Sequence, residues 1–146
     1  MSPQEPVIES IVGNVRRHIQ TYLESNGKRG HIYRGNPTLL LTTRGRTTGL
    51  LRRQALIYGT DGERFVVVGS NRGSSRAPAW YLNLRQQPEV LLQVAGERFP
   101  AIAHETTGDE RQRLWEMMLE VYPTFEQYQR KTDRLFPVIV FERTSM

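Results

Sequence analysis

The chain contains no cysteine, which excludes disulfides, thiol catalysis and thiolate metal sites. Its three histidines, His18, His31 and His104, stand far apart and lack the spacing of a ligand set, so no metal is expected. Lysine is nearly absent: Lys28 and Lys131 are the only two among 20 basic residues. No apolar run approaches the ~20 residues of a membrane-spanning helix. The N-terminus has no apolar core of the signal-peptide type, so a cytoplasmic protein is expected. No GxGxxG follows a strand and opens a helix, which leaves a Rossmann dinucleotide site unsupported.

What remains is a chain of 146 residues, enough for one domain with a proper core, taken here as residues 1–146. Its formal net charge of +5 is carried almost entirely by arginine. Arginine favours forked recognition of phosphate and carboxylate, so anionic partners are expected. The segment Leu39–Tyr58 concentrates this chemistry. Two apolar runs flank a turn rich in glycine and threonine, with Arg44, Arg46, Arg52 and Arg53 in or just after it. Gly45 and Gly49 let the backbone come close to a ligand, and the threonine hydroxyls can donate to it. A nucleic-acid surface fits less well, because the aromatic residues are not interleaved with the basic ones as a stacking platform requires.

The apolar periodicity at Val7, Ile8, Ile11, Val12, Val15, Ile19, Tyr22 and Leu23 predicts an amphipathic helix, preceded by a loose lead-in over residues 1–6. Strands are expected over Thr38–Thr43, Leu51–Tyr58, Arg64–Ser70, Glu89–Ala95, Glu97–His104 and Phe136–Phe141. Helices are expected over Ala77–Gln87, Glu110–Val121 and Thr124–Arg130. Hairpins and short helical insertions link these strands, which points to an antiparallel α+β, mainly β, arrangement and not to alternating βαβ. Six strands with an inserted helix suit a small closed or split barrel over residues 38–143, with an N-terminal helical segment over residues 1–25.

Five pieces, in this order, carry a resemblance: TTRGRTTGLLRR (42–53), VVVGSNRG (66–73), PAWYLNL (78–84), PEV (88–90), and YPTFEQYQRKTDR (122–134) followed by PVIVFER (137–143). Together they resemble the deazaflavin (coenzyme F420)-dependent nitroreductase and quinone reductase family. The resemblance implies a six-stranded antiparallel split β-barrel of the FMN-binding-like kind. It also implies reduced F420 as hydride donor, and acceptors among quinones, nitroaromatics and unsaturated lactones. An FMN-binding split barrel and a non-catalytic F420 carrier are the alternative readings. Relatives of this type are often monomers. Peripheral membrane contact through the N-terminal helix would suit a quinone acceptor.

Coenzyme F420 joins a flat apolar ring to a phosphodiester and several glutamates, so its site needs a cationic groove opening into an aromatic pocket. Carried over residue by residue, the resemblance assigns Arg46, Thr47, Gly49 and Arg52 to the anionic end. Thr47 stands where relatives often have a basic residue. Ala55, Ile57, Val68, Gly69 and Ser70 match the wall beside the ring, Asn71 and Arg72 the adjoining loop, and Ala79, Trp80 and Asn83 a helical contact. Tyr122, Phe125 and Tyr128 match an aromatic trio over the acceptor. Phe125 stands where nitroimidazole-reducing relatives often have tyrosine. Ser70, Tyr128 and Tyr122 are the expected donors to charge developing on the acceptor.

Overall fold

A computed structural model describes residues 5–10 and 12–144; residues 1–4 of the expected lead-in and Ile11 of the expected helical stripe lie outside the described residues. In chain order the elements are β1 (Val7–Ile8), α1 (Gly13–Glu24), β2 (Ile32–Tyr33), β3 (Asn36–Arg44), β4 (Leu51–Ile57), β5 (Gly59–Asp61), β6 (Arg64–Val68), α2 (Ala79–Gln86), β7 (Glu89–Val94), β8 (Glu97–Glu105), α3 (Gly108–Val121), α4 (Thr124–Gln129) and β9 (Val138–Arg143). The protein is therefore mixed α+β and mainly sheet. The six longer strands overlap those predicted from apolar runs and turn signals; β1, β2 and β5 are additions of two or three residues.

The strands form one sheet in the order β1-β4-β3-β7-β8-β9-β6-β5, with β2 paired to β3. Every pairing is antiparallel except β1 with β4, which corrects the expectation of a wholly antiparallel sheet. The chain passes from β4 to β5 through Tyr58 alone. Strands near the two ends of the order are thus consecutive in sequence, and the sheet curls back on itself. Among the described residues no ladder joins β4 to β6.

Strand alternation sorts the side chains into three clusters. On the inner face Leu39, Leu41, Val90, Leu92, Ile139 and Phe141 pack with Trp80 and Leu84 of α2. On the outer face of β6 and β9, Val66, Val68, Val138 and Val140 pack against Leu114 and Met118 of α3 and against Phe125 and Phe136. The third cluster seats Ile19 and Tyr22 of α1 on Leu40, with Ala55 beside them. Tyr22 also has polar work: its hydroxyl donates toward the carbonyls of Thr38 (3.0 Å) and Gln93 (3.3 Å) and accepts from the Ala95 amide (2.8 Å). Gly27, at φ +81°, lets the end of α1 come this close, because a Cβ there would lie 2.2 Å from the Ala95 backbone.

The N-terminal expectation needs correction. Val7 and Ile8 are not helical but pair with Leu51 and Arg52 of β4, and the helix starts only at Gly13. Both residues are β-branched, which favours extended backbone. The lead-in is not loose at its end either: Glu5 bonds to Arg44 and Glu9 to Arg53 at 2.6 Å. The strand expected to run to Ser70 stops at Val68, and Asn71–Gly73 form a 3-10 turn.

Candidate active site

A cavity of about 820 Å³ opens where β4 and β6 lack a shared ladder. Strand geometry supplies one wall. Ala55 and Ile57 lie two residues apart on one face of β4, Val68 ends β6, and Ser70 follows it. The first turn of α2 contributes Ala79 and Trp80, held after Pro78, whose extended backbone starts the helix. The segment entering α4 adds Tyr122, Phe125 and Tyr128. Ser70 is 8% exposed, and its hydroxyl has no partner among the described residues, so it stays available to a ligand.

The loop after β6 is conformationally unusual. Asn71, Arg72 and Gly73 all take positive φ, at 44°, 55° and 83°. Two of them carry a Cβ, which makes the left-handed region costly. Asn71 fastens its own loop by donating from Nδ2 to the Arg76 carbonyl at 3.0 Å. Arg72 is exposed at the cavity and forms no ion pair with a described residue.

The aromatic residues in and just before α4 interlock. Tyr122 meets Phe125 edge-on at 5.0 Å between centroids and Tyr128 at 6.4 Å. The neighbouring Tyr122 hydroxyl, then burial, push the Tyr128 phenol above its ordinary pKa, while Arg72 pulls the other way. Tyr128 therefore keeps its proton at neutral pH and can donate it in a hydrogen bond. Phe125 is 5% exposed and packs in the outer core as well as against the cavity.

The cationic hairpin lies outside this cavity. Arg46, Thr47, Gly49 and Arg52 do not line it; Thr47, Gly49 and Arg52 are solvent-exposed, and Gly69 packs beneath Pro137. Arg46 is nevertheless fixed. Its backbone N–H and its Nη1 both donate to Asn83 Oδ1 at 3.1 Å. Asn83, 3% exposed, uses its amide nitrogen on Thr43 Oγ1 at 3.1 Å. Asn83 thus braces the hairpin from α2 and does not line the cavity.

The structure adds residues that motif reading missed. Asn14, Val15 and His18 of α1, with Tyr33 and Arg34 of the β2–β3 hairpin, close the outer side. The His18 and Tyr33 rings stack at 3.9 Å, and His18 Nε2 donates to the Gly30 carbonyl at 2.8 Å. The spacing of Asn14 and His18, one helical turn apart on the polar side of α1, was the available signal. Among the described residues no group of acidic or histidine side chains could hold a metal ion.

With this geometry in hand, comparison with known proteins is specific. The family model described as F420H(2)-dependent quinone reductase matches residues 14–143. An F420H(2)-dependent quinone reductase of Mycobacterium tuberculosis (strain H37Rv) is 35% identical over 133 residues, covering 88% of this chain and 89% of that protein. A solved structure described as an F420-H2 dependent reductase (FDR-A) is 36% identical, with a TM-score of 0.68, covering 73% of this chain and 94% of the other. A second solved structure, described as a domain-swapped dimer, is 31% identical, with a TM-score of 0.70, covering 86% and 96%.

The protein is an oxidoreductase whose cofactor is coenzyme F420. The chain belongs to the F420H2-dependent quinone reductase family.

Proposed function

We propose that the cavity between β4 and β6 receives the deazaflavin ring of F420 together with a quinone or another activated acceptor, a nitroaromatic or an unsaturated lactone. The observation that carries this reading is the combination of walls: small or apolar residues on the strands, a free Ser70 hydroxyl, and phenols on α4, around one cavity of about 820 Å³. The donor set fits the coenzyme, being flat and apolar for a ring and cationic beyond it for a tail. On this reading the six longer strands form the split barrel, and its split is the ring site.

Reduced F420 supplies the hydride when bound. The residues of the chain do the rest. Ala55, Ile57 and Val68 leave room for a ring along the strands, with Trp80 offering its face and indole N–H. Ser70 and Tyr128 donate to oxygen that gains negative charge, and Tyr122 holds the Tyr128 phenol in place. Arg46 and Arg52, with Thr47 and Gly49, take the phosphate and glutamate end, and Asn71 and Arg72 take the part between. Asn83 acts by holding Arg46. The wall of α1 and the β2–β3 hairpin excludes bulk water from the outer side.

Exposed Val12 beside Arg16 and Arg17 gives α1 the composition for peripheral contact with an anionic membrane face, where a lipid-soluble quinone would be met. This reading keeps the chain in the cytoplasm and monomeric. Size-exclusion chromatography decides between a monomer and the exchange described for the domain-swapped relative. Fluorescence titration with F420, followed by a screen of quinones, nitroaromatics and lactones, tests the central claim. Tight FMN binding without F420 binding would overturn it.

A further inference from the structure

Arg134, between α4 and β9, has no carboxylate partner among the described residues, yet its guanidinium makes four hydrogen bonds, all to backbone carbonyls. Nη1 donates to the Gly69 carbonyl at 3.0 Å, and Nη2 to the carbonyls of Ser70 (2.9 Å) and Ser74 (3.1 Å). Nε donates to the Ser74 carbonyl at 3.2 Å. Its underside rests on the Phe136 ring, 4.8 Å from the centroid. Partial burial lowers its pKa, but a guanidinium keeps its charge. The cation is thus directed at the backbone carbonyls of one loop.

That loop carries Ser70 and the left-handed run Asn71–Gly73. The Ser70 carbonyl accepts from both Arg134 and the Gly73 amide, the latter at 2.9 Å. Gly73 packs on α4 so closely that a Cβ would lie 2.7 Å from the Tyr128 carbonyl. Arg134 is itself tied to α4: Gln129 Nε2 donates to the Arg134 carbonyl at 2.6 Å, while Gln129 Oε1 accepts from the Phe136 amide at 3.1 Å. One residue therefore links the segment bearing Ser70 to the segment bearing Tyr122 and Tyr128. Lysine could not replace it, because a single ammonium on a flexible stem cannot hold three carbonyls in a plane.

We propose that Arg134 is a positioning residue that fixes the Ser70–Arg72 turn against the aromatic residues of α4, and so sets the spacing between the hydroxyl on one wall and the phenols on the other. The kinetic consequence rests on the function proposed above; the conformational one does not. The test uses the full chain with Arg134→Lys and Arg134→Ala, and Arg130→Ala as a control, since Arg130 makes only an exposed pair with Glu126 at 2.8 Å.

In coenzyme-free protein, amide exchange at Gly73 and Ser74 is expected to accelerate on the order of tenfold or more in Arg134→Lys, with β7 and β8 amides unchanged. With F420 and a quinone, kcat is expected to fall roughly tenfold to a hundredfold, as for a displaced reacting geometry. Guanidinium ion should restore turnover to Arg134→Ala, and ammonium at equal ionic strength should not. If Arg134→Ala does not fold, Arg134→Lys carries both readouts. Unchanged exchange at Gly73 and Ser74 overturns the proposal, as does a wild-type kcat once folded fractions are matched. A wild-type chain that reduces no quinone overturns the proposed function instead, and the exchange measurement still decides the role of Arg134.

Discussion

Arg46 and Asn83 are joined twice: the backbone N–H and the guanidinium of Arg46 both reach the same amide oxygen at 3.1 Å. This contact bridges the β3–β4 turn and α2, two segments that are far apart in sequence. Arg46 is otherwise solvent-exposed.

Arg46→Ala is therefore expected to weaken F420 binding far more than it slows turnover at saturation. Asn83→Ala should weaken binding in the same direction, and the two losses should not add, because Asn83 acts through Arg46. Asn83→Ala also strands the Thr43 hydroxyl and should cost about 1–3 kcal/mol of stability. Fluorescence titration of the two single variants and the double variant measures the coupling. Additive losses would separate the two residues.

Phe125→Tyr places a hydroxyl at a buried edge of the aromatic trio. A donor worth about 1–3 kcal/mol appears only if the new group reaches the acceptor. Selective gain on nitroimidazoles, with quinone reduction kept, is the expected outcome in steady-state rates on both acceptor types. Equal change on both would show that position 125 does not read the acceptor.

Burial pushes the Tyr22 phenol up to about 12. An acid whose pKa is higher when folded than when unfolded is held neutral by folding. Its contribution is complete below the ordinary tyrosine value of about 10 and is lost as pH rises from there through about 12. Tyr22→Phe leaves the Ala95 amide without its acceptor and should cost about 1–3 kcal/mol at neutral pH. Urea denaturation between neutral and strongly alkaline pH should show that the variant loses less stability on the way up. Parallel curves would remove Tyr22 from the alkaline response.

Asp61 shows the opposite sign. Hydrogen bonds from Arg113 and Arg64 hold its carboxyl well below the usual carboxylate range. Its contribution is present above the unfolded value of about 4 and is lost as pH falls through the folded one. The pairs are largely solvated, so screening keeps the contribution of the network small. Asp61→Asn should lower Tm by about 2–4 °C at pH 7. The gap should close on acidification, read by calorimetry at neutral and acid pH. A gap constant with pH would mean that packing, not charge, is lost.

The sheet was legible because its strands are apolar runs bounded by turn signals such as Asp61-Gly62 and Gly96, although which face each side chain takes was not. Leu39 and Leu41 point inward and Leu40 outward. Val7 and Ile8 misled because two apolar residues fit a helical stripe as well as a strand, and only the free edge of β4 decides between them. The α4 aromatic residues, Ser70 and Trp80 could be placed from motifs, because each sits in a contiguous piece of sequence. His18, Tyr33 and Arg134 could not. His18 meets Tyr33 only after α1 has crossed the sheet, and the partners of Arg134 are backbone carbonyls, which no side-chain pattern announces. Asn83 was legible as important but not as a brace, since Thr43 and Arg46 approach it from another element.

The α4 segment lies between α3 and β9 and takes part in no strand ladder. Substitutions along residues 122–129 can therefore accumulate without breaking sheet hydrogen bonds. Their cost falls on packing instead, since Phe125 is buried in the core shared with α3 and Tyr122 and Tyr128 pack against it. The link through Arg134 marks where this freedom ends.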